Sequence, residues 1–329
     1  MDIGIAIGDV RGPVGAQGLL DQARQAGQAG IGTVWVSQAM GWDALVALAA
    51  VGSAVPGVRL GTGVVPVPQR HPLVLASQAL SVQAATGNRL TLGIGAGVSM
   101  LTRQMFGLVH DRPARRLREY LGVLLPLLRG ESVDHQGETL TAFGGVDVPG
   151  AEPPEVLLAA LGPAMLRVAG ELTAGTVTWM TGVRALAGHI VPTITRTNPE
   201  ARVVAGLLTC VTDDEAGVRQ RISAQFAIAG QVPEYRAVLD REGVTAPGEV
   251  VVAGDESTVV RHLDRIRDAG VTDFLAVPYG SAAEQLRTTQ VLAGAGATAT
   301  RCGGRGRPSA PAPAASAPRS CPAAHRTPR

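Results

Sequence analysis

Short runs of apolar residues alternate with amphipathic segments along the chain. Most runs are apolar at every position, which indicates strands that are buried on both faces. The segments between them have helical spacing, for example at 18–30 and 71–87. Strands that are separated by helices pair in parallel through right-handed crossovers. Eight runs fit this description: 3–7, 33–37, 58–65, 90–94, 156–160, 176–180, 203–210 and 274–277.

Eight strand–helix units predict an α/β fold of the (β/α)8 TIM-barrel type, which typically needs about 250 residues. Two intervals between strands are long enough to hold insertions. The interval after the fourth run contains a helical segment at 112–130 and a hairpin-like segment at 132–143. The interval after the seventh run ends in a helical segment at 257–270. A doubly wound open sheet is the alternative, although eight strands in series exceed its usual number of about six.

The C-terminal segment differs in composition from the rest of the chain. From residue 295 it is rich in Pro, Ala, Arg, Ser and Gly and has no periodicity. We therefore expect one barrel domain over 1–294 and a disordered tail over 295–329, with a basic partner-binding arm as the alternative for the tail. Six of the 29 basic residues lie in the tail, so the rest carries 23 basic and 27 acidic residues. A formal charge of −4 on the domain gives no indication of nucleic-acid binding.

The residue types exclude several kinds of chemistry. All 29 basic residues are arginine, and an enzyme that forms a Schiff base or uses a Walker-A loop needs a lysine. The three cysteines and six histidines have neither disulfide-framework nor metal-site spacing, so no metal site is expected. No apolar run reaches the roughly 18 residues of a membrane span, and the N-terminus does not have the pattern of a signal peptide. We expect a cytoplasmic protein without membrane or nucleic-acid partners.

Glycines follow two of the predicted strands. The segment 92–100, LGIGAGVSM, lacks the second strand and the acidic residue that a dinucleotide-binding fingerprint requires. Its glycines instead allow close backbone packing or contact with a flat ring, and both remain open. The segment 60–72 ends a strand in the same way and brings Arg70 and His71 to the mouth of a barrel.

Two further strand ends carry candidate site residues. Gly162 and Pro163 lie where the fifth strand passes into a helix, and the free N–H groups of such a helix start can bind a phosphate. An ordinary strand–helix turn is the alternative. Trp42 follows the second strand and Trp179 lies in the sixth; both are candidates for a substrate pocket, and Trp42 is equally compatible with the core.

Three blocks of the sequence, 59–97, 111–139 and 156–182, resemble the luciferase-like monooxygenase superfamily. The most similar branch is its actinobacterial oxidoreductases that use the deazaflavin coenzyme F420. The resemblance covers roughly residues 1–290 and implies a (β/α)8 barrel, in agreement with the count of eight strands.

The resemblance also implies a cofactor site at the mouth of the barrel. In the deazaflavin-dependent dehydrogenases, a non-proline cis peptide bond on the third strand supports the cofactor ring. The matching bond here is Gly63–Val64. The other implied cofactor-binding residues are Gln38, Val65, Pro66, Ala96, Gly97, Leu161, Gly162, Ala164 and Met165, the last four at the phosphate-binding turn.

The chain departs from the resemblance at the acid and base. The sugar-phosphate dehydrogenases of the superfamily carry a histidine after strand two and a glutamate after strand four, where this chain has Ala39 and Val98. Neither side chain can accept a proton from an alcohol, which favours reduction over dehydrogenation. The proton for a reduction must come from the substrate, from water or from a side chain; the candidates are Asp9, Arg70, His71 and Arg103.

Together these points predict an enzyme that transfers hydride between reduced coenzyme F420 and an organic substrate, with an activated C=C or C=N bond as the reduced group. An FMN-dependent monooxygenase that uses oxygen is the alternative within the family. The missing acid–base pair leaves a non-catalytic cofactor-binding protein as the alternative of another class. The expected partner is a small-molecule substrate, and a homodimer remains open.

Overall fold

Eight parallel strands form a closed barrel in the structure of this chain, a computed structural model that describes residues 1–302, with side chains described to residue 296. The eight strands follow one another around the barrel in chain order, and the last pairs with the first to close it. The predicted fold is therefore confirmed and the open sheet is wrong. The barrel strands are β1 (Asp2–Ile7), β2 (Thr33–Val36), β3 (Arg59–Thr62), β5 (Leu90–Gly95), β8 (Glu155–Ala159), β9 (Gly175–Trp179), β10 (Arg202–Val211) and β12 (Asp273–Pro278).

Helices surround this barrel. Short 3-10 turns cover Asp9–Arg11, Ala229–Gln231 and Pro247–Glu249, and a π-helical turn covers Leu186–Ile190. The α-helices are α1 (Ala16–Gln28), α2 (Ala44–Ala54), α3 (Pro72–Thr86), α4 (Ser99–Phe106), α5 (Pro113–Leu128), α6 (Pro163–Leu172), α7 (Val183–Ala185), α8 (Val191–Thr195), α9 (Glu215–Gln225), α10 (Pro233–Glu242), α11 (Glu256–Asp268) and α12 (Ala282–Cys302).

Both predicted insertions are present. The one after β5 contains α4, α5 and an antiparallel hairpin of β6 (Val133–Gln136) and β7 (Thr141–Gly144). The one after β10 contains α9, α10 and α11, and also β11 (Val252–Gly254), which pairs with the end of β10. A further two-residue strand, β4 (Val65–Pro66), continues β3 and pairs with β5.

The middle of the barrel is filled by one large side chain. Trp35 on β2 is only 2% exposed, and its neighbours in register across β1 and β3 are small. A Cβ built at Gly4 would lie 2.4 Å from the indole Nε1, and one at Gly61 would lie 2.2 Å from Cε3. The glycines of the neighbouring strands therefore provide the space that the indole occupies.

Ion pairs lie at the end of the barrel where the strands begin. Arg202 bonds to Asp273 at 2.6 Å and also to Glu155, and Arg59 bonds to Asp2 at 2.8 Å. These side chains join the beginnings of five barrel strands. In TIM barrels this end serves stability, while active sites lie at the end where the strands finish.

The last helix passes the predicted domain boundary. Helix α12 runs through Cys302, eight residues beyond position 294, and the remainder of the predicted tail, 303–329, lies outside the described residues. Over the described part of the chain, no helix is both long and apolar enough to cross a membrane. Within that same part, no cluster of three potential metal ligands occurs.

Candidate functional site

The predicted cofactor residues lie at the ends of four consecutive barrel strands. Gln38 follows β2, Gly63–Pro66 ends the third strand, Ala96 follows β5 and Leu161 follows β8. Most of the predicted residues are half-buried, as expected of a surface that a ligand can cover, whereas Gly162 and Ala164 are exposed. Val65 is fully buried, backbone included, so it offers no accessible surface to a ligand.

The peptide bond between Gly63 and Val64 is cis, as the resemblance implies. The end of β2 binds the backbone on both sides of this bond. Ser37 Oγ donates to the Gly63 carbonyl at 2.7 Å, and the backbone N–H of Gln38 donates to the Val64 carbonyl at 3.2 Å. The Gly63 amide in turn donates to the Val36 carbonyl at 2.9 Å. Ser37 was not among the predicted site residues, although it directly precedes one of them.

The glycine-rich segment after β5 accommodates this backbone. A Cβ built at Gly93 would lie 2.1 Å from the Thr62 carbonyl oxygen, and one at Gly95 would lie 3.1 Å from Val64 Cγ2. Gly97 has a φ of +73°, which favours glycine. Close packing against the Thr62 backbone therefore explains Gly93, and packing against the Val64 and Ala159 side chains explains Gly95. The closed barrel excludes the dinucleotide fingerprint. Contact of a ring with Gly97 stays a prediction.

Arg70 organises the loops after β2 and β4. Its Nη2 donates to Asp43 Oδ2 at 2.5 Å and to Gln38 Oε1 at 3.0 Å. Asp43 caps the start of α2, and Gln38 Oε1 also accepts from the Ala44 amide at 3.2 Å. The arginine is therefore engaged in holding Gln38, whose Nε2 has no partner among the described residues. This leaves the Gln38 amide group available as a hydrogen-bond donor at the mouth.

The turn between β8 and α6 has free backbone donors. Gly162 is the N-cap residue of α6, and no side chain caps this helix. Pro163 at the first helical position has no N–H, so the Ala164 and Met165 amides are the donors that a phosphate could use. His189, in the π-helical turn, lies 2.9 Å through Nε2 from the Leu161 carbonyl and so contacts this turn. No sequence pattern indicates that contact, because 28 residues separate the two positions.

His71 and Arg103 have structural partners. His71 caps α3 by accepting from the Leu73 amide through Nδ1 at 3.3 Å, and its Nε2 lies 2.8 Å from the Thr141 carbonyl of the hairpin. Arg103 is exposed on α4, where Nη2 donates to the His110 carbonyl at 3.2 Å. Both ring nitrogens of His71 are occupied, which disfavours a role in proton transfer.

Glu119 on α5 holds the hairpin that His71 contacts. Its carboxylate accepts from the Thr139 amide at 3.0 Å and from Thr139 Oγ1 at 2.5 Å, and it pairs with His135 Nε2 at 3.1 Å. Burial raises the pKa of the Glu119 carboxyl, but the hydrogen bonds from Thr139 and His135 outweigh burial and lower this pKa to about 2. The charged carboxylate is therefore the form that stabilises the hairpin.

We expect Glu119→Gln to lower the free energy of unfolding at pH 7 by about 1–2 kcal/mol, the scale of a hydrogen bond to a charged group. The folded pKa lies below the unfolded one, so this stabilisation is complete above about pH 5 and declines as the pH falls towards 2. Urea unfolding of both proteins at pH 7 and pH 3 measures it. The exposed Glu152, whose carboxylate has no partner among the described residues, supplies the control Glu152→Gln. A loss that is equal at both pH values would contradict the assignment.

Two clefts open at the same end of the barrel, beside the predicted cofactor surface. The first, of about 580 Å³, is lined by Asp9, Val14 and Trp42 among others, and Trp42 Nε1 donates to the Val14 carbonyl at 3.0 Å. The second, of about 630 Å³, lies between the turn after β1 and the start of α12 and is also lined by Asp9. Trp179 is half-buried at the end of β9 and lines neither cleft.

Asp9 differs from the other three candidate proton donors. It is half-buried in the turn after β1 and lines both clefts. Its carboxylate lies against the backbone of Gly41, where a Cβ would come within 1.9 Å of Oδ2. No hydrogen bond or ion pair engages that carboxylate among the residues that the structure describes. Asp9 is therefore the candidate that combines a place on the cleft walls with a carboxyl group that has no hydrogen-bond or ionic partner among the described residues.

Comparisons with known proteins bear on the family and on the fold. The family model described as "Luciferase-like monooxygenase" matches residues 3–298. A Mycobacterium tuberculosis protein that is named as a coenzyme F420-dependent oxidoreductase is 26% identical over an alignment of 351 residues, covering 89% of this chain and 100% of that protein.

Two solved structures share the fold. The coenzyme F420-dependent tetrahydromethanopterin reductase of Methanopyrus kandleri has a TM-score of 0.74 at 20% identity and covers 89% of this chain and 97% of its own. An F420-dependent secondary alcohol dehydrogenase in complex with an F420–acetone adduct has a TM-score of 0.76 at 16% identity and covers 90% of this chain and 98% of its own. At these identities the likeness establishes the barrel and not the reaction.

Proposed function

We propose, since the chain belongs to the luciferase-like monooxygenase family, that it is a reductase that uses coenzyme F420 to reduce an activated C=C or C=N bond. One observation carries the proposal: the residues that the resemblance assigns to the cofactor lie at four consecutive strand ends at the mouth of the barrel, and most of them are half-buried. The relative that is named as an F420-dependent oxidoreductase supports the choice of cofactor.

The residues at the mouth fit a flat ring with a phosphate arm. Val64, Ala96 and Gly97 offer a surface of small side chains and backbone, and Gln38 Nε2 offers a donor beside it. The uncapped start of α6 offers the Ala164 and Met165 amides to a phosphate. When bound, the reduced coenzyme supplies the hydride that one atom of the substrate double bond accepts.

The second atom of the double bond needs a proton, and we assign its delivery to Asp9. Its carboxyl group lines both clefts and is free of internal partners among the described residues. Arg70 and His71 are engaged in holding loops and a helix start. The arrangement matches the absence of an acid–base pair at Ala39 and Val98, because a reduction requires one proton donor and no base for an alcohol.

An FMN-dependent monooxygenase is the second candidate, because the family that the chain matches is named for that reaction. A deazaflavin has carbon at ring position 5 and does not form the oxygen adduct on which such a monooxygenase depends. The cofactor therefore distinguishes the two functions without knowledge of the substrate.

The test is an anaerobic assay of reduced F420 with enones, imines and dehydroamino acids, run beside oxidised F420 with sugar phosphates and secondary alcohols. We expect turnover in the first set. Turnover confined to the second set would make the protein a dehydrogenase, and turnover confined to reduced FMN with air would make it a monooxygenase. Binding of F420 without turnover across both sets would favour a non-catalytic cofactor-binding protein.

Replacing Gly162 by valine tests the phosphate assignment. The residue has φ −90° and ψ 156°, which any residue adopts, and a Cβ added to it would have no atom within 4 Å. We therefore expect normal folding but an F420 affinity that is weaker by roughly ten-fold or more, because the side chain would crowd the free amides. Titration of the deazaflavin absorbance measures the affinity.

Gly15→Val is the matched control for Gly162→Val. Gly15 is also an N-cap glycine with extended backbone and open space around its Cβ position, but it precedes α1. Its F420 affinity should equal that of the unchanged protein. Equal affinities in all three proteins would remove the phosphate from this turn.

A further inference from the structure

Among the residues that the structure describes, Arg11 is a half-buried cation without an acidic partner. It ends the 3-10 turn after β1, and it lines the cleft of about 630 Å³ at the start of α12. No carboxylate lies within 4 Å of its guanidinium among the residues that the structure describes. Burial lowers the pKa of Arg11 to about 10, but the group stays charged at neutral pH. Keeping a half-buried charge without a counter-ion costs free energy of folding.

The guanidinium of Arg11 is held in place from one side. Its Nε and Nη2 donate to Gln285 Oε1 at 3.0 and 2.8 Å, and Gln285 Nε2 donates to the Gly280 carbonyl at 3.0 Å. The amide group of Gln285 is thus oriented with its oxygen towards the arginine. Nη1 has no partner within the described part of the chain, so Arg11 keeps donor capacity for a ligand in the cleft.

The comparison with Arg89 shows that this arrangement is unusual for the chain. Arg89 is also half-buried without an acid, but its guanidinium donates to the carbonyls of Gly52, Val55, Val58 and Thr86. Those four acceptors satisfy it within the fold. Arg11 has a single amide oxygen, so the fold alone does not account for its charge.

Besides Arg11, the cleft wall carries Asp9, Arg221 and Glu284, and of these Arg221 and Glu284 are engaged within the fold. Arg221 pairs with Asp214 at 3.2 Å. Glu284 accepts from Thr212 Oγ1 at 2.7 Å and from the Ser281 amide and hydroxyl, each at 2.8 Å, and these hydrogen bonds lower the pKa of its carboxyl. Arg11 is thus the cation of this cleft, within the described residues, that has no acidic partner.

We propose that Arg11 binds an anionic group of the substrate, a carboxylate or a phosphate, in the cleft between the turn after β1 and the start of α12. The substrate class is then an unsaturated acid or its phosphorylated counterpart. Asp9 lies two residues before Arg11 in the same turn and lines the same cleft, so an anion held at Arg11 brings the rest of the molecule to the proposed proton donor. The choice of substrate class rests on the proposed function; the anion site itself does not.

Equilibrium binding to the full chain without cofactor tests the site independently of turnover. The probes are cinnamate, its neutral methyl ester and inorganic phosphate, measured by calorimetry at low ionic strength. We expect cinnamate to bind at least ten-fold more tightly than methyl cinnamate, and Arg11→Gln to abolish this preference. Arg24→Gln, at a half-buried arginine of α1 that pairs with Asp21, is the matched control and should keep it.

The outcomes separate the site from its use. Loss of phosphate binding in Arg11→Gln, with no preference for cinnamate, would assign the site to phosphates. A preference for the acid that survives Arg11→Gln, or no anion binding at all, would overturn the proposal. If Arg11→Gln fails to fold, the unchanged protein is measured in the presence of 0.5 M NaCl instead. The salt should weaken the binding of the anions but not of the ester. Equal weakening of both would count against the site. Binding that depends on Arg11, without F420 turnover, would retain the site and reject the proposed function.

Discussion

Asp9→Asn is expected to lower kcat for the reduction by about 100-fold, because an amide cannot deliver the proton that a positioned acid supplies. Asparagine has nearly the same shape as aspartate, so the close approach of this side chain to the Gly41 backbone is preserved. The carboxylate has no internal hydrogen bond among the described residues, so its replacement should leave thermal stability unchanged. Affinity for F420 should also be unchanged, because Asp9 lies outside the predicted cofactor surface.

Single-turnover oxidation of reduced F420, followed by absorbance with an excess of substrate, measures this effect. Asp147→Asn is the control, since Asp147 is an exposed aspartate in the loop that leads into β8, at the opposite end of the barrel. Asp9→Glu keeps a carboxyl group, so a kcat within a few-fold of that of the unchanged protein would support proton delivery at this position. Full activity in Asp9→Asn would assign the proton to water or to the substrate.

The barrel could be predicted because its strands are continuous apolar runs. Each of the eight runs became a barrel strand, since burial on both faces removes polar residues from the whole run and not from alternate positions. Strand β11 was not predicted, because its three residues, Val252–Gly254, are too few to show any period. The continuation of α12 past residue 294 was missed for a related reason, because Ala, Gly and Thr at 293–300 give no apolar stripe.

The end of the barrel at which the candidate residues lie could be predicted, but the partners of their side chains could not. Strand ends fix which residues reach the mouth, and this placed Gln38, Gly63 and Gly162 correctly at that end. Whether a polar residue there is free depends on partners that lie far away in the sequence. Arg70 is engaged by Asp43, 27 residues before it, and His71 contacts the hairpin 70 residues later.

Arg11 is a residue that the sequence does not single out. In the sequence it is one of 29 arginines, next to a turn of glycine and proline. What distinguishes it is that it has no acidic partner within the described part of the chain, and this depends on the folded surroundings and not on the neighbouring sequence. The nearest signal in the sequence is its place two residues after Asp9, at the end of a predicted strand.

The largest expected effect on stability is that of Gly93→Ala. A Cβ at Gly93 would lie 2.1 Å from the Thr62 carbonyl oxygen and 3.1 Å from Val64 Cγ1. The first obstacle is the backbone of the neighbouring strand and not the end of a flexible side chain, so β3 and β5 must separate. Their separation would also weaken the hydrogen bond of 2.7 Å from Thr62 Oγ1 to the Gly93 carbonyl. We expect the free energy of unfolding to fall by about 3 kcal/mol, at the upper end of the usual cost of overpacking.

Urea unfolding of Gly93→Ala beside Gly162→Ala distinguishes packing from the general effect of replacing glycine. Gly162 has open space around its Cβ position, so its replacement should change stability by no more than about 0.5 kcal/mol. Equal stabilities of the two variants would mean that β5 does not need a glycine beside the Thr62 carbonyl. Because Val64 packs over both Gly93 and Gly95, the displaced backbone of Gly93→Ala should also move the surface proposed for the cofactor ring. Gly93→Ala should therefore also bind F420 more weakly, whereas Gly15→Val should change neither the free energy of unfolding nor the affinity for F420.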